Sequence, residues 1–273
     1  MIAGTKASRC RVSTSELESA EAASVVTVRA KGSVDSTDIA RAVRSIERVM
    51  RCRGIDEPAR ARFTGALAIA GPVLAQVNID GGDTPIRVQV AGPPGFIATF
   101  VADRLDRTLT RLTDAPGRRL WPDPARPQQV SVTSPRPIVR RKECELLVGD
   151  PDAATQVMDA RDYDAHLFTD IETGEDAIVY WGGPLGVRLA RQYRLQPPQR
   201  RTVALAMNPR PALCITEAEA AQRLCGYGLP FLFFTDPVTG RGKLLVRRYD
   251  GDLTLVAPAQ SGCGSSRPRR AVP

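Results

Sequence analysis

Residues 231–256 read FLFFTDPVTGRGKLLVRRYDGDLTLV. Apolar runs are interrupted there by Thr239-Gly240 and Asp250-Gly251. An Asp-Gly pair between alternating apolar residues is a strong hairpin signal, because both central residues must accept positive φ. The pattern occurs twice. Phe168-Thr169-Asp170 and Thr173-Gly174 stand at the same offset as Phe234-Thr235-Asp236 and Thr239-Gly240, and Ile178-Val179 falls on Leu244-Leu245. Further upstream, the helical pattern of 152–156 sits over that of 218–222. The second half is therefore two related modules of about 50–60 residues, each too small to stand alone and expected to bury its apolar sheet face on a partner.

The whole chain has 273 residues and a net charge of +8, enough for two or three domains with cores of their own. No stretch approaches the roughly 18 continuous apolar residues that cross a bilayer. Lys6, Arg9 and Arg11 are followed by no apolar run, so neither a secretory leader nor a membrane anchor is expected, and the cytoplasm is the expected compartment. Cys10, Cys52, Cys144, Cys214, Cys225 and Cys263 are scattered. Without closely spaced pairs they suggest free thiols rather than a zinc or redox centre, and no metal or cofactor is expected. The lone His166, beside Asp162 and Asp164, has no nucleophile elbow, phosphate loop or metal spacing to serve, so no enzyme is expected.

Read in order, residues 1–23 are a small, polar, flexible tail. Residues 24–114 give the order β-α-β-β-β-α: a strand to residue 31, a helix over 35–53, strands over 62–70, 73–80 and 85–91, and a helix over 95–113. Such an order suits an antiparallel-leaning sheet with both helices on one face. In the first helix Ile39, Val43, Ile46 and Met50 form one stripe, while Arg41, Arg44, Arg48 and Arg51 lie nearly opposite. In the second, Ile97, Val101, Leu105, Leu109 and Leu112 point inward, with Arg104, Arg107 and Arg111 on an adjacent face. Arginine rows with few acidic neighbours suit a phosphate backbone, through the planar fork of the guanidinium, as well as they suit water. Without exposed aromatic residues on the sheet, shape and phosphate would dominate over base reading, which favours a structured RNA.

Residues 115–142 form a Pro/Arg-rich linker with seven basic residues against one acidic. In it Arg118, Arg119, Arg140, Arg141 and Lys142 either follow a phosphate backbone or keep the linker soluble, and Trp121 either stacks on a base or anchors on a neighbouring domain. The first repeat spans 143–190, a short linker 191–201, the second repeat 202–258 and a basic tail 259–273. The segment 143–201 is acidic, 6 basic residues against 11, and 202–273 basic, 9 against 5. The fold class is thus α+β: a β-α-β-β-β-α domain followed by two small repeated α/β modules.

The second repeat resembles the C-terminal domain of the long-form ribosome hibernation-promoting factors. The likeness rests on an acidic-Ala helix with Gln over 217–222, the bend Gly226 to Gly228, the F-x-F strand at Phe231 and Phe233, Thr239-Gly240, Val246 to Arg248 and Asp250-Gly251. Residues 24–113 look like the family's N-terminal domain in element order and arginine helices. The size and the duplicated tail look like the mycobacterial dormancy-associated translation inhibitor branch. The resemblance implies a non-enzymatic factor whose partner is the small ribosomal subunit and its ribosomal RNA, held in the channel that messenger and transfer RNA would occupy. The family's basic helix positions carry over to Arg41, Arg44, Arg48, Arg51, Arg104, Arg107 and Arg111 as expected RNA-binding residues, and Lys31 with Arg118, Arg119, Arg140, Arg141 and Lys142 of the linker are expected beside them.

Family members usually carry one C-terminal domain, which pairs with that of a second molecule. Here there are two, and the first has Trp181-Gly182-Gly183-Pro184 in place of the R-R-x-D-G segment. The expectation is that they pair within one chain through Phe168, Val179, Phe231, Phe233 and Leu245, with a homodimer as the other possibility. A general DNA- or RNA-binding regulator, and a protein-interaction scaffold built on the repeats, are the alternatives.

Overall fold

A computed structural model describes residues 25–65, 71–81, 85–114, 132–183, 186–199 and 205–259. Arg118, Arg119, Trp121, the tail 1–23 and residues 260–273 lie outside them. The chain divides into two compact units. The first comprises Met1–Gln128, Thr155–Asp164 and Tyr180–Val187, and the second Gln129–Ala154, Ala165–Val179 and Arg188–Pro273.

The first unit contains β1 (Val26–Lys31), α1 (Ser36–Cys52), β2 (Ala59–Thr64), β3 (Val73–Ile79), β4 (Ile86–Gly92) and α2 (Ile97–Asp114). The sheet order is β1-β2-β3-β4, with β1 parallel to β2 and the other neighbours antiparallel. Strict alternation in β3, with Val73, Ala75, Val77 and Ile79 buried, gives the sheet one apolar face. On it sit Ala42, Ile46 and Met50 of α1 and Ile97, Val101, Leu105 and Leu109 of α2. The expected inward stripe of α2 thus stops at Leu109, and Leu112, a turn beyond the core cluster, is exposed. β2 begins at Ala59, three residues before the expected start, because pairing with both β1 and β3 extends it.

The repeats are legible down to single hydrogen bonds. The first has β6 (Val148–Gly149), α3 (Pro151–Ala160), β7 (Ala165–Asp170), β8 (Asp176–Trp181) and β9 (Val187–Arg191). The second has β11 (Leu213–Cys214), α4 (Glu217–Gly226), β12 (Phe231–Thr235), β13 (Gly242–Arg247) and β14 (Leu253–Pro258). In each, a Thr-Gly turn returns to an aspartate. Gly174 N–H donates to Asp170 O (2.7 Å) and Gly240 N–H to Asp236 O (2.8 Å), and both glycines have positive φ, 69° and 67°.

The Trp-Gly-Gly-Pro departure keeps the same anchor. Trp181 stands where Arg247 stands in the second repeat. Its indole N–H donates to Tyr163 O (2.9 Å), as Arg247 Nε donates to the corresponding Leu229 O (3.1 Å).

The strands that open the modules are exchanged. β5 (Ile138–Cys144) lies at the edge of the second repeat's sheet, order β11-β12-β13-β14-β5, running parallel to β14. β10 (Leu205–Met207) lies beside β9 in the sheet β10-β9-β8-β7-β6. Residues 138–142, expected in the linker, therefore form a strand, and the strand expected over 143–148 begins five residues earlier. The proline-rich run ends at Pro137, so every residue of β5 has an N–H with which to pair.

Candidate nucleic-acid interface

Helix α1 starts where Asp35 accepts the Thr37 N–H (2.7 Å) as N-cap. One turn later the buried Asp38 carboxylate accepts the Gly95 N–H (2.7 Å), tying the helix to the entrance of α2. With that side fixed, Arg41, Arg44, Arg48 and Arg51 all emerge on the exposed side. Arg41 lies 4.0 Å from Asp38. Among the described residues no ion pair engages Arg44, Arg48 or Arg51. Arg53, at the C-cap, turns away and grips Asp106 of α2 through Nε (2.9 Å) and Nη2 (2.7 Å), with Thr110 as a further acceptor. That contact neutralises an acid next to the row and fixes the two helices together.

The three arginines of α2 have different environments. Arg107 is exposed, with a one-turn ion pair to Asp103 (2.7 Å) that water screens. Arg104 is 1 % exposed, and its Nη2 holds Asp162 Oδ1 at 2.9 Å. Arg111 is paired with Asp159. Asp162, in left-handed backbone geometry with φ 51°, also accepts the Gln89 N–H of β4 at 3.1 Å. The segment Thr155–Asp164 thus covers the flank of α2 inside the first unit. Spacing along α2 puts Arg104 on the same face as Arg107, but it cannot reveal a partner 58 residues away.

The sheet face away from the helices is also basic. Lys31 of β1 is exposed on it, near Arg29 and Arg62, which are register partners. Arg60 pairs with Asp80, and Arg87 lies 5.6 Å from the centre of the Tyr163 ring. Arg29, Arg60 and Arg62 were not singled out from sequence. The signal was there in the alternation of ARARFT, where Arg60 and Arg62 oppose the buried Ala59, Ala61 and Phe63.

In the second unit, Arg140, Arg141 and Lys142 follow one another along β5, and Arg141 is drawn to Glu217 (2.5 Å). Of the residues expected between the repeats, Phe231 and Phe233 share one face of β12 with the buried Leu244 opposite Phe233. Leu245 lies on the other face, in the core formed with Ala220 and Leu224 of α4 and with Phe234. Phe168 and Val179 are fully buried at the places corresponding to Phe234 and Leu245. Among the described residues no cluster of His, Cys, Asp and Glu could hold a metal, and no helix is long and apolar enough to cross a membrane.

The β-α-β-β-β-α unit with an open arginine row, followed by a duplicated module, defines the class, and comparison with known proteins agrees. Residues 133–189 match the family described as Sigma 54 modulation/S30EA ribosomal protein C terminus. That match falls on β5 and the first repeat, whereas the motifs quoted above are clearest in the second. Over 246 residues the chain is 44 % identical to proteins called "Dormancy associated translation inhibitor" from two strains of Mycobacterium tuberculosis, CDC 1551 / Oshkosh and ATCC 25618 / H37Rv, covering 87 % of this chain and 89 % of each relative. The chain belongs to the ribosome hibernation-promoting factor family, in its dormancy-associated translation inhibitor branch.

Proposed function

We propose that this protein is a ribosome-associated inhibitor of translation in dormancy, which docks its first unit on the small ribosomal subunit and occludes the messenger and transfer RNA channel. The observation that carries the reading is the row Arg41, Arg44, Arg48 and Arg51, exposed along one side of a helix whose other side is buried. Arg107 extends the row onto α2, and Lys31, Arg29 and Arg62 add charge on the opposite face. Phosphate contacts position such a domain on structured RNA without reading bases, so its action is competition by occupancy in the cytoplasm, with no bond made or broken. Arg104 and Arg111 act within the protein and hold the flank of α2.

The two repeats pair in cis, and the exchange of β5 and β10 supports that reading. A module whose partner is in its own chain has no pairing surface left for a second ribosome, so the complexes formed are single ribosomes rather than pairs.

The test is sucrose-gradient co-sedimentation of wild type and Arg44→Glu/Arg48→Glu/Arg107→Glu with purified ribosomes. Wild type is expected with small subunits and single ribosomes, and the variant at the top of the gradient with an unchanged melting temperature. Equal sedimentation of the two proteins overturns the assignment of the arginine row. Equal affinity of wild type for naked duplex and for subunits points to the general nucleic-acid regulator instead. A paired-ribosome peak that requires the second unit overturns closure in cis.

A further inference from the structure

Asp176 and Gly242 stand 66 residues apart, at the first position of β8 and of β13, so they occupy the same place in the two repeats. They touch each other. The Gly242 N–H donates to Asp176 Oδ2 at 2.8 Å, and a residue that meets its own counterpart lies beside the two-fold axis relating the copies. At this axis the two sides are unlike. Arg241 Nε and Nη2 clasp the Asp176 carboxylate at 2.7 and 3.0 Å, and that carboxylate is 3 % exposed. The Asp176 N–H donates to Gln192 Oε1 (3.1 Å), and Gln192 Nε2 reaches across to Thr235 Oγ1 (3.1 Å) and Gly240 O (2.9 Å).

Like pairs do not fit this geometry. Two first repeats would bring Glu175 and Asp176 against the same two residues, with Glu175 held by Arg194 at 3.5 Å and no counterpart of the two-pronged Arg241 grip on Asp176. They would also need a side chain where glycine now stands, and a Cβ on Gly242 would lie 2.6 Å from the Asp176 Cβ. Two second repeats would bring Arg241 towards Arg241 with no carboxylate to receive either. Juxtaposed like charges in a part-buried contact, with Asp176 buried and Arg241 half-exposed, are a way to reject a wrong partner.

We propose that Asp176, with Arg241 and Gly242, is the specificity determinant of repeat pairing: each repeat fits the other and refuses a copy of itself. The inference rests on the cis pairing proposed above and names what selects it. A single module that pairs with an identical module must be self-complementary at its axis. Duplication within one chain removes that constraint and allows an acid on one side and an arginine with a glycine on the other. The occupant that suits the first repeat is accordingly the second repeat, and not the first repeat of another molecule.

The experiment uses the full chain and a charge-reversal cycle: Asp176→Lys, Arg241→Asp, and both together. Light scattering after size exclusion gives the mass, and a thermal melt gives the stability. Wild type is expected as a monomer. Each single reversal is expected to lower the melting temperature of the second unit by about 8 °C and to add dimers or larger species. The double reversal is expected to recover at least half of that loss, although the Asp176→Lys side chain is bulkier beside Gly242. Asp176→Asn, which keeps the shape and loses the charge, is expected to fall between wild type and the reversals. Single variants that stay monomeric within about 2 °C of wild type, or a double variant as damaged as the two singles combined, overturn the proposal. A wild-type dimer overturns closure in cis but not the axis contact, because unlike repeats meet in a strand-exchanged dimer as well and the cycle still reads their coupling.

Discussion

Arg104 and Arg107 are one helical turn apart, yet one is buried on Asp162 and the other lies in water. Breaking a buried pair leaves an uncompensated charge, so Arg104→Ala is expected to cost about 3–5 kcal/mol in urea unfolding. Arg107→Ala, with a screened partner, is expected to stay within about 0.5 kcal/mol. A second residue-scale prediction concerns Lys243, which bridges Glu217 and Asp236 at 2.8 and 2.7 Å. Burial works to raise the carboxyl pKa values, but hydrogen bonds from Lys243, and from Arg141 to Glu217, outweigh it and hold both below their ordinary 4.5 and 3.8. Carboxyls depressed in the folded state contribute stability that is complete above those ordinary values and is lost as pH falls through the lower folded ones. Melts of the second unit are therefore expected to weaken below pH 4.5 and again below 3.8, and Lys243→Met is expected to flatten that acid limb. Helical spacing made the α1 arginines legible in sequence, because they stand exposed and, among the described residues, no ion pair engages Arg44, Arg48 or Arg51. It could not assign Arg104, since a buried partner distant in the chain leaves no local trace. Nor could it show that an indole at Trp181 takes over the hydrogen bond made by Arg247, for the two side chains share only an N–H donor.

At the scale of elements, both helices of the first unit and the three longer strands of the second repeat were readable from periodicity and turn residues. The exceptions have physical causes. β6 and β11 are two residues long, too short for any period. β5 shows no apolar alternation, since IVRRKEC is basic at its centre, and it is a strand only because β14 offers it a parallel edge. Helix α4 carries the clearest local signal. Thr216 Oγ1 accepts the Glu219 N–H at 3.3 Å while Glu219 Oε2 accepts the Thr216 N–H at 2.8 Å, a reciprocal capping box. Thr216→Ala is expected to lower the stability of the second unit by about 1 kcal/mol in denaturant melts, with ribosome binding unchanged.

For the molecule as a whole, the organising feature is the exchange of β5 and β10 between the two sheets. Deleting residues 200–273 removes β10 from one sheet and takes β14 away from β5 at the same time. The shortened chain is expected to lose hydrogen-exchange protection over 138–144 and the cooperative melt of the second unit, whereas protection in β2 and β3 of the first unit persists. Persistence of protection in β5 would mean that the strand has another partner. The exchange also has a consequence in time. Ile138 is held by Leu253, so roughly 115 residues must be added after the first before its parallel partner exists, on the order of ten seconds at ordinary elongation rates. Throughout that interval the first unit's sheet has every strand it needs, and the arginine row of α1 is already made. If the first unit docks on ribosomal RNA as proposed, a chain of this dormancy-associated translation inhibitor branch presents its arginine row beside the ribosome that is making it before β5 has met β14.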